Sequence, residues 1–260
     1  MMSSTAGSLN LDIPPASNHL VGEDGSYGPY EYWFSLWGLP ELYAYGLRLL
    51  GDVQGKAVLD CGCGPGHISV MLAKRGAKVT AFDTDGHQLA TAHALAKTNG
   101  VQATFLQEPF ETLSLPDASY DLLFGTFVLH HVNLPQACAQ IRRVLKPGGR
   151  AVFVENSALN PFLMATRRYV CGRFGIARYG DDHEHPLTRA DIATLKREFP
   201  NACQVHFPNF LLFRLLDFYL FKRRSAAMTA LLKSLDTTFS KSALIRRYGY
   251  LQVIQLEKST

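Results

Sequence analysis

Residues 56–66, Lys-Ala-Val-Leu-Asp-Cys-Gly-Cys-Gly-Pro-Gly, join a short apolar run to a loop that little but glycine can build. The run Ala57-Val58-Leu59 reads as a buried strand that ends at Asp60. Gly62, Gly64 and Gly66 then permit positive φ and a close approach of backbone to ligand. A helix beginning near His67 would aim its free N–H groups at that ligand. The next apolar segment, Lys78-Val79-Thr80-Ala81-Phe82, ends in Asp83, 23 residues beyond Asp60, where a carboxylate can accept hydrogen bonds from both hydroxyls of a ribose. A strand, a glycine loop, a helix and a well-placed acid together predict a nucleotide-cofactor crevice.

The segments further along continue the pattern. Tyr120-Asp121-Leu122-Leu123-Phe124 and Ala151-Val152-Phe153-Val154 read as short strands covered on both faces. Between them Asn133 is placed as an N-cap, and Ala137, Ile141 and Leu145 recur at helical spacing. Lys146-Pro147-Gly148-Gly149 supplies a cation, a breaker and a left-handed glycine position. This alternation predicts a doubly wound parallel sheet with its ligand at the carboxyl ends of the strands. The spacing also bears on the ligand. Dinucleotide sites favour G-x-G-x-x-G, whereas Asp60-x-Gly62-x-Gly64-x-Gly66 puts an acid ahead of the glycines. That acid repels a pyrophosphate and suits a cationic ammonium group, directly or through a water.

On these residues the chain resembles the class I S-adenosylmethionine-dependent methyltransferases, in particular the small-molecule branch that includes the ubiquinone and menaquinone methyltransferases. The likeness extends through Leu115-Pro116-Asp117-Ala118-Ser119-Tyr120-Asp121, Val128-Leu129-His130-His131-Val132 and Arg143-Val144-Leu145-Lys146-Pro147-Gly148-Gly149-Arg150. It is close over residues 53–157 and loose elsewhere. It implies a Rossmann-like α/β fold: a doubly wound, mostly parallel seven-stranded sheet with an N-terminal helical lid and a helical insertion before the last strand. It implies S-adenosylmethionine as cofactor and S-adenosylhomocysteine as product. The positions that match the family's cofactor site are Asp60, Gly62, Cys63, Gly64, Gly66, Asp83, Thr84, Pro109, Phe110, Glu111, Gly125 and Thr126. One departure falls at the adenine site. Many relatives have Gly-Asp-Ala-Glu where this chain has Glu108-Pro109-Phe110-Glu111, so the exocyclic amine must find Glu108, Glu111 or water.

A sulfonium methyl is already activated, so the protein's task is alignment, exclusion of water and removal of a proton. His131 and His130, after the fourth strand, are the candidate bases. The competing reading of His131 is a hydrogen bond that fixes the loop. Glu155, at the end of the fifth strand, ranks behind them, as does the run Asp181-Asp182-His183-Glu184-His185. That run also suggests a metal, but adjacent residues share no helix face, and a solvated loop with no metal is the expected state. Thr188 and Asp191 read as a helix cap.

With 260 residues, 47% apolar and 18% charged, the chain can bury one sizeable core, and nothing in it repeats. Its five cysteines lack zinc-ligand spacing and fit reduced thiols in a cytoplasmic setting. Residues 1–27 carry no basic start or apolar core and read as a disordered or loosely attached leader. Charge is unevenly spread: residues 1–52 hold one base and six acids, residues 158–260 sixteen bases and eight acids. The basic third includes Arg167-Arg168, Arg173, Arg178, Lys222-Arg223-Arg224 and Arg246-Arg247, which attract a phosphate, a carboxylate or an anionic membrane surface. Its leucines and phenylalanines come in one block rather than interleaved with the bases, which argues against nucleic acid.

That block, Phe207 to Phe221, is too short to span a bilayer, which takes about 20 apolar residues. Capped by Asn209, it reads as a helix apolar nearly all round. It is buried in the fold, lines an apolar substrate pocket, or makes peripheral membrane contact through residues 207–224. It lies between the expected sixth and seventh strands, Ala202–His206 and Tyr248–Gln255. On the other flank Tyr27, Tyr30, Tyr32, Trp33, Phe34, Trp37, Tyr43 and Tyr45 form a candidate lid over the cofactor, or helices docked on the sheet. The expected organisation is a leader and lid over 1–52 and a methyltransferase domain over 53–260, with substrate-side insertions at 158–187 and 207–245. The expected activity is methylation of a small apolar, amphipathic or anionic acceptor, on oxygen rather than carbon or nitrogen. The alternatives are a nicotinamide-dependent oxidoreductase on the same sheet and a non-catalytic cofactor-binding partner subunit. Oligomeric state is not legible.

Overall fold

The computed structural model describes residues 19–27, 39–173, 185–221 and 225–260. Its strands are β1 (Ala57–Cys61), β2 (Lys78–Asp83), β3 (Ala103–Gln107), β4 (Tyr120–Thr126), β5 (Leu145–Asn156), β6 (Cys203–His206) and β7 (Leu251–Glu257). Its α-helices are α1 (Leu39–Leu50), α2 (His67–Lys74), α3 (Gly86–Thr98), α4 (Leu134–Val144), α5 (Pro161–Tyr169), α6 (Arg189–Glu198), α7 (Phe213–Leu216), α8 (Ala226–Phe239) and α9 (Ala243–Arg246). The strands form one sheet in the order β3-β2-β1-β4-β5-β7-β6, parallel except for β7, which runs antiparallel to both neighbours. This is the expected doubly wound, mostly parallel α/β sheet.

Period-two alternation explains why the central strands read as continuous apolar runs. Val58, Leu122, Phe124, Val152 and Val154 face one apolar layer, packed under α1 and α2. Their neighbours Leu59, Leu123, Ala151 and Phe153 face a second layer, packed under α4 and α6. Both faces are dry, so polar residues are displaced to the strand ends, where the site forms. The order reverses at β1, which pairs with β2 on one side and β4 on the other, and this switch point opens a crevice at the carboxyl ends.

Helix starts are fixed locally in this half. Asp85 caps α3 by accepting from the N–H groups of His87 and Gln88, and Asn133 caps α4 by accepting from Gln136. Thr188 and Asp191 form the expected reciprocal capping box on α6. The segment Lys146–Gly149 does not simply close a helix: β5 already begins at Leu145, and Gly148 takes its left-handed conformation, φ 73°, inside the strand's first residues.

Three further expectations meet the structure, the second of them in its docked-helix alternative. Residues 19–27 are attached rather than loose: Val21 and Tyr27 are buried and bridge each other, Val21 N–H donates to Asn99 Oδ1 at 2.9 Å, and Lys74 Nζ donates to the Val21 carbonyl at 2.8 Å. The described part of the aromatic flank, α1, lies against β5, with Leu42, Tyr43, Leu47 and Leu50 in the core. Tyr30, Tyr32, Trp33, Phe34 and Trp37 lie outside the described residues, as do residues 1–18, Arg178, Asp181–Glu184 and Lys222–Arg224.

The third concerns residues 207–221, which do not form one helix capped by Asn209. Leu211 adopts φ 46°, α7 starts only at Phe213, and Asp217–Phe221 continues as a π-helical turn. The physical reason is a remote cap. The Asp236 carboxylate, on α8, accepts from the N–H groups of Leu212, Phe213 and Arg214 at 2.8–2.9 Å, so the helix begins where that carboxylate sits.

Candidate functional site

The loop after β1 is shaped by its three glycines. Gly62, Gly64 and Gly66 have φ of 65°, 49° and 82°, a region that penalises other residues. A Cβ on Gly62 would lie 2.6 Å from Val128 Cγ2, and one on Gly66 2.6 Å from Ala92 Cβ of α3. Gly64 differs, because a Cβ there would meet nothing within 4 Å. The loop is laced to the end of β2: Asp83 Oδ2 accepts from Gly64 N–H at 2.8 Å, and Cys63 N–H donates to the Phe82 carbonyl at 2.9 Å.

Loop and strand ends enclose a cavity of about 780 Å³. Gly62, Gly64, Asp83, Thr84, Phe110 and Glu111 stand on its walls as the sequence predicts, with Glu108 beside them and His131 also facing it. Asp83 carries further acceptor capacity beyond its bonds to Gly64 and Asp85 N–H. Phe110 is buried edge-on to Phe82, their centroids 5.0 Å apart, and gives the floor an aromatic surface. The Glu108 carboxylate accepts from the hydroxyl and N–H of Ser114, and Glu111 accepts from Asn133 N–H at 2.8 Å. Both acids are thus held in place at the departure from the family's adenine motif.

The remaining predicted residues support the cavity from behind. Asp60 is 1% exposed and turns under the loop, where it accepts a 2.6 Å hydrogen bond from Ser69 Oγ. Burial, helped by the nearby negative charge of Asp83, pushes its carboxyl up to about 7. Direct contact with a ligand ammonium is therefore not its position in this structure. Cys63 packs against Ala81 and Leu89, and burial raises its thiol well above the usual range. Gly66 makes the α2–α3 contact, and Pro109 precedes the short 3₁₀ turn Phe110–Thr112. Gly125 admits the Phe153 ring, which a Cβ would approach to 2.7 Å, and Thr126 shares a hydrogen bond with the buried Tyr43 phenol.

The two histidines separate. His130 is buried, its Nδ1 2.7 Å from Glu155 Oε2. Glu155, 0% exposed, also accepts from Val128 and Leu129 N–H at 2.8 and 2.6 Å through Oε1. One buried carboxylate therefore fixes the turn after β4, and His130 is part of that fixture. His131 is exposed to the cavity, its ring 4.1 Å from that of His130. Behind the glycine loop Tyr27 stacks on His67 at 5.0 Å, and burial lowers the imidazole to about 4, leaving it neutral.

Some wall residues escape the sequence reading. Asp85 had a signal in its spacing to Gln88, the pattern of a helix cap. Phe127 had none. It sits on the wall at φ 56°, held by its N–H to the Val154 carbonyl at 2.8 Å, and left-handed phenylalanine is not written in any local pattern. A second cavity, of about 300 Å³, lies between α5 and residues 215–219. Phe162, Leu163, Val170, Leu215, Leu216 and Tyr219 line it, with Arg167. Among the described residues no group of histidine, cysteine and carboxylate side chains can hold a metal ion, and no helix is long and apolar enough to cross a membrane.

Residues 59–153, which carry the crevice, match the family described as a methyltransferase domain, and in fold and site this part of the chain resembles the class I S-adenosylmethionine-dependent methyltransferases. Within that class it resembles ubiquinone methyltransferases. The ubiquinone biosynthesis O-methyltransferase of Photorhabdus laumondii is 41% identical over 117 residues, covering 42% of this chain and 46% of that protein. The protein of that name from Citrobacter koseri is 38% identical over 162 residues, covering 56% and 65%. The alignments thus span less than two thirds of these relatives' length. A solved S-adenosylmethionine-dependent methyltransferase from Mesorhizobium loti shares the fold, with a TM-score of 0.56 at 19% identity over 83% of this chain and 97% of that one.

Proposed function

We propose that this chain transfers a methyl group from S-adenosylmethionine to an oxygen of a small apolar or amphipathic acceptor. The observation that carries the reading is the conjunction, on one cavity, of a left-handed glycine loop, the Asp83 carboxylate, the Phe110 ring and His131. The donor set fits the cofactor: a carboxylate for the ribose diol, an aromatic face for the adenine, and a glycine wall whose Cβ space is empty at Gly64. When bound, the cofactor supplies a methyl group already activated as a sulfonium.

The chain's own residues then do three things. The glycine loop and Asp83 orient the nucleoside. Phe110, Phe127 and Val128 exclude water from the apolar part of the wall. His131 accepts the proton of the attacking hydroxyl while Glu155, through His130 and the N–H groups of Val128 and Leu129, holds the turn that carries it. Oxygen is preferred as acceptor atom because both curated relatives named above are O-methyltransferases. The apolar cavity beside Arg167 suits an acceptor with an apolar body and an anionic or polar head.

Calorimetry with S-adenosylhomocysteine tests the cofactor site: the chain binds it, and Asp83→Ala weakens binding by at least about tenfold, the value of one charge-assisted hydrogen bond. Unchanged affinity in Asp83→Ala overturns the assignment. Transfer of labelled methyl to members of an apolar phenol panel tests the reaction. Leu216→Asp is expected to abolish it while leaving S-adenosylhomocysteine binding intact.

A further inference from the structure

A third cavity lies away from the crevice, on the outer edge of the sheet. It measures about 590 Å³ and follows β6 between α6 and the turn that precedes β7. It shares no wall residue with the crevice, whose strands β1 and β4 are separated from β6 by β5 and β7. At about 4.8 Å per strand, β6 stands roughly 14 Å from β4.

Its walls combine two chemistries. Leu159, Ile192, Val205 and Phe207 form an apolar floor, and Arg189, Lys196 and Arg247 stand on the rim. Among the described residues no carboxylate lines it. The two acids of α6 are engaged elsewhere: Asp191 closes its own cap with Thr188, and Glu198 pairs with Arg142 at 2.7 Å. None of the three rim cations has a carboxylate partner within ion-pair distance among the described residues. Arg247 is preorganised. Its guanidinium lies over the Tyr248 ring, 4.9 Å from the centroid, and donates to Tyr248 Oη at 2.8 Å. The hydrogen bond and charge of Arg247, joined by the charge of Arg189, hold the Tyr248 phenol below its ordinary value. Lys196 acts in the same sense on the Cys203 thiol, whose pKa burial raises.

Three exposed cations with no paired carboxylate among the described residues set a positive potential over an apolar slot, which favours a ligand that is both negative and apolar. We infer that this edge cavity is a second ligand site, which takes an amphipathic anion: a carboxylate or phosphate monoester on the Arg189, Lys196 and Arg247 rim, with an apolar body of about eight carbons along the β6 floor. The volume falls within the usual range for small-molecule sites. Gln204 and Tyr248 add polar contacts that fix the head group's orientation. The site lies apart from the crevice, and its ligand need be neither acceptor nor product.

Calorimetry on the full chain with octyl phosphate, octanol and inorganic phosphate tests this. Octyl phosphate binds one to one, more tightly than either fragment, and its affinity falls as salt rises. The variant Arg189→Ala/Lys196→Ala/Arg247→Ala, all three exposed and free of structural ion pairs, melts as the wild type does and binds octyl phosphate at least about tenfold more weakly. S-adenosylhomocysteine does not compete. Equal binding of octanol and octyl phosphate, undiminished binding by the triple variant, or competition by S-adenosylhomocysteine overturns the inference. So does binding only to phosphatidylglycerol vesicles with none to free octyl phosphate, which would make the rim a membrane contact.

Discussion

Residues 57–156 and residues 158–250 are held in shape by different means. In the first region the helix starts and the glycine loop carry their own instructions: Asp85 and Asn133 cap the helices they precede, and Gly62 and Gly66 turn the chain where it stands, while the turn after β4 alone is held from Glu155. In the second, α5, α6 and α8 also carry local caps, but the segment 210–216 is shaped from a distance. Asp236 sets the start of a helix 22–24 residues before it, and Ser240 Oγ accepts from Phe210 N–H. The first region walls the crevice proposed for the part of the substrate pair that does not vary, a nucleoside. The second walls the apolar cavity proposed for the acceptor, and remote fixation lets that wall be rebuilt without disturbing the crevice.

The contrast can be broken experimentally. The largest effect is expected at His131, on the wall of the crevice. His131→Ala lowers kcat by 10²–10⁴-fold while S-adenosylhomocysteine affinity stays within about twofold, the signature of lost acid–base catalysis. Substantial activity in His131→Asn would reassign the residue to shaping the turn.

Next comes local instruction. Gly66→Ala places a Cβ 2.6 Å from Ala92 Cβ and 2.9 Å from its Cα at φ 82°. Strain and overpacking together cost about 2–4 kcal/mol in chemical denaturation. A loss below about 1 kcal/mol would mean the loop is softer than its geometry implies. Remote fixation is sharpened by a pair of variants. Asp236→Ala, removing a buried acceptor of three N–H groups, costs about 2 kcal/mol, whereas Asp85→Ala, at an exposed cap, costs about 1 kcal/mol. Equal costs would erase the distinction.

The last effect is a slope. The Asp60 carboxyl titrates near 7 in the fold against 3.8 when unperturbed. Between those values the folded protein binds more protons than the unfolded chain, so stability falls as pH rises from about 4 to about 7. Asp60→Asn, which cannot ionise, flattens that slope. An unchanged slope would place the titration elsewhere.

Legibility in the sequence follows the same division. The strand-loop-helix unit at 57–74, Asp83, and the caps at Asn133 and Thr188 were readable because each depends on residues within a few positions. Residues 207–221 misled. Their composition favours a helix, and the carboxylate that moves its start lies beyond the window of any local pattern. Phe127 and the burial of Asp60 were hidden for the same reason: both follow from the packing of β4, β5 and α2 around them, not from neighbours in sequence.

The placement of β7 has a consequence for how the molecule comes into being. Among the described residues it is the last strand yet stands between β5 and β6, and β6 has no other strand partner. During synthesis β6 is therefore made about fifty residues before anything exists for it to pair with. Until Leu251–Glu257 emerges, β5 and β6 present open edges of the kind that join other chains. The nucleoside crevice, built from β1, β2 and β4, can form while translation continues. The edge cavity along β6 can form only once Leu251–Glu257 has emerged.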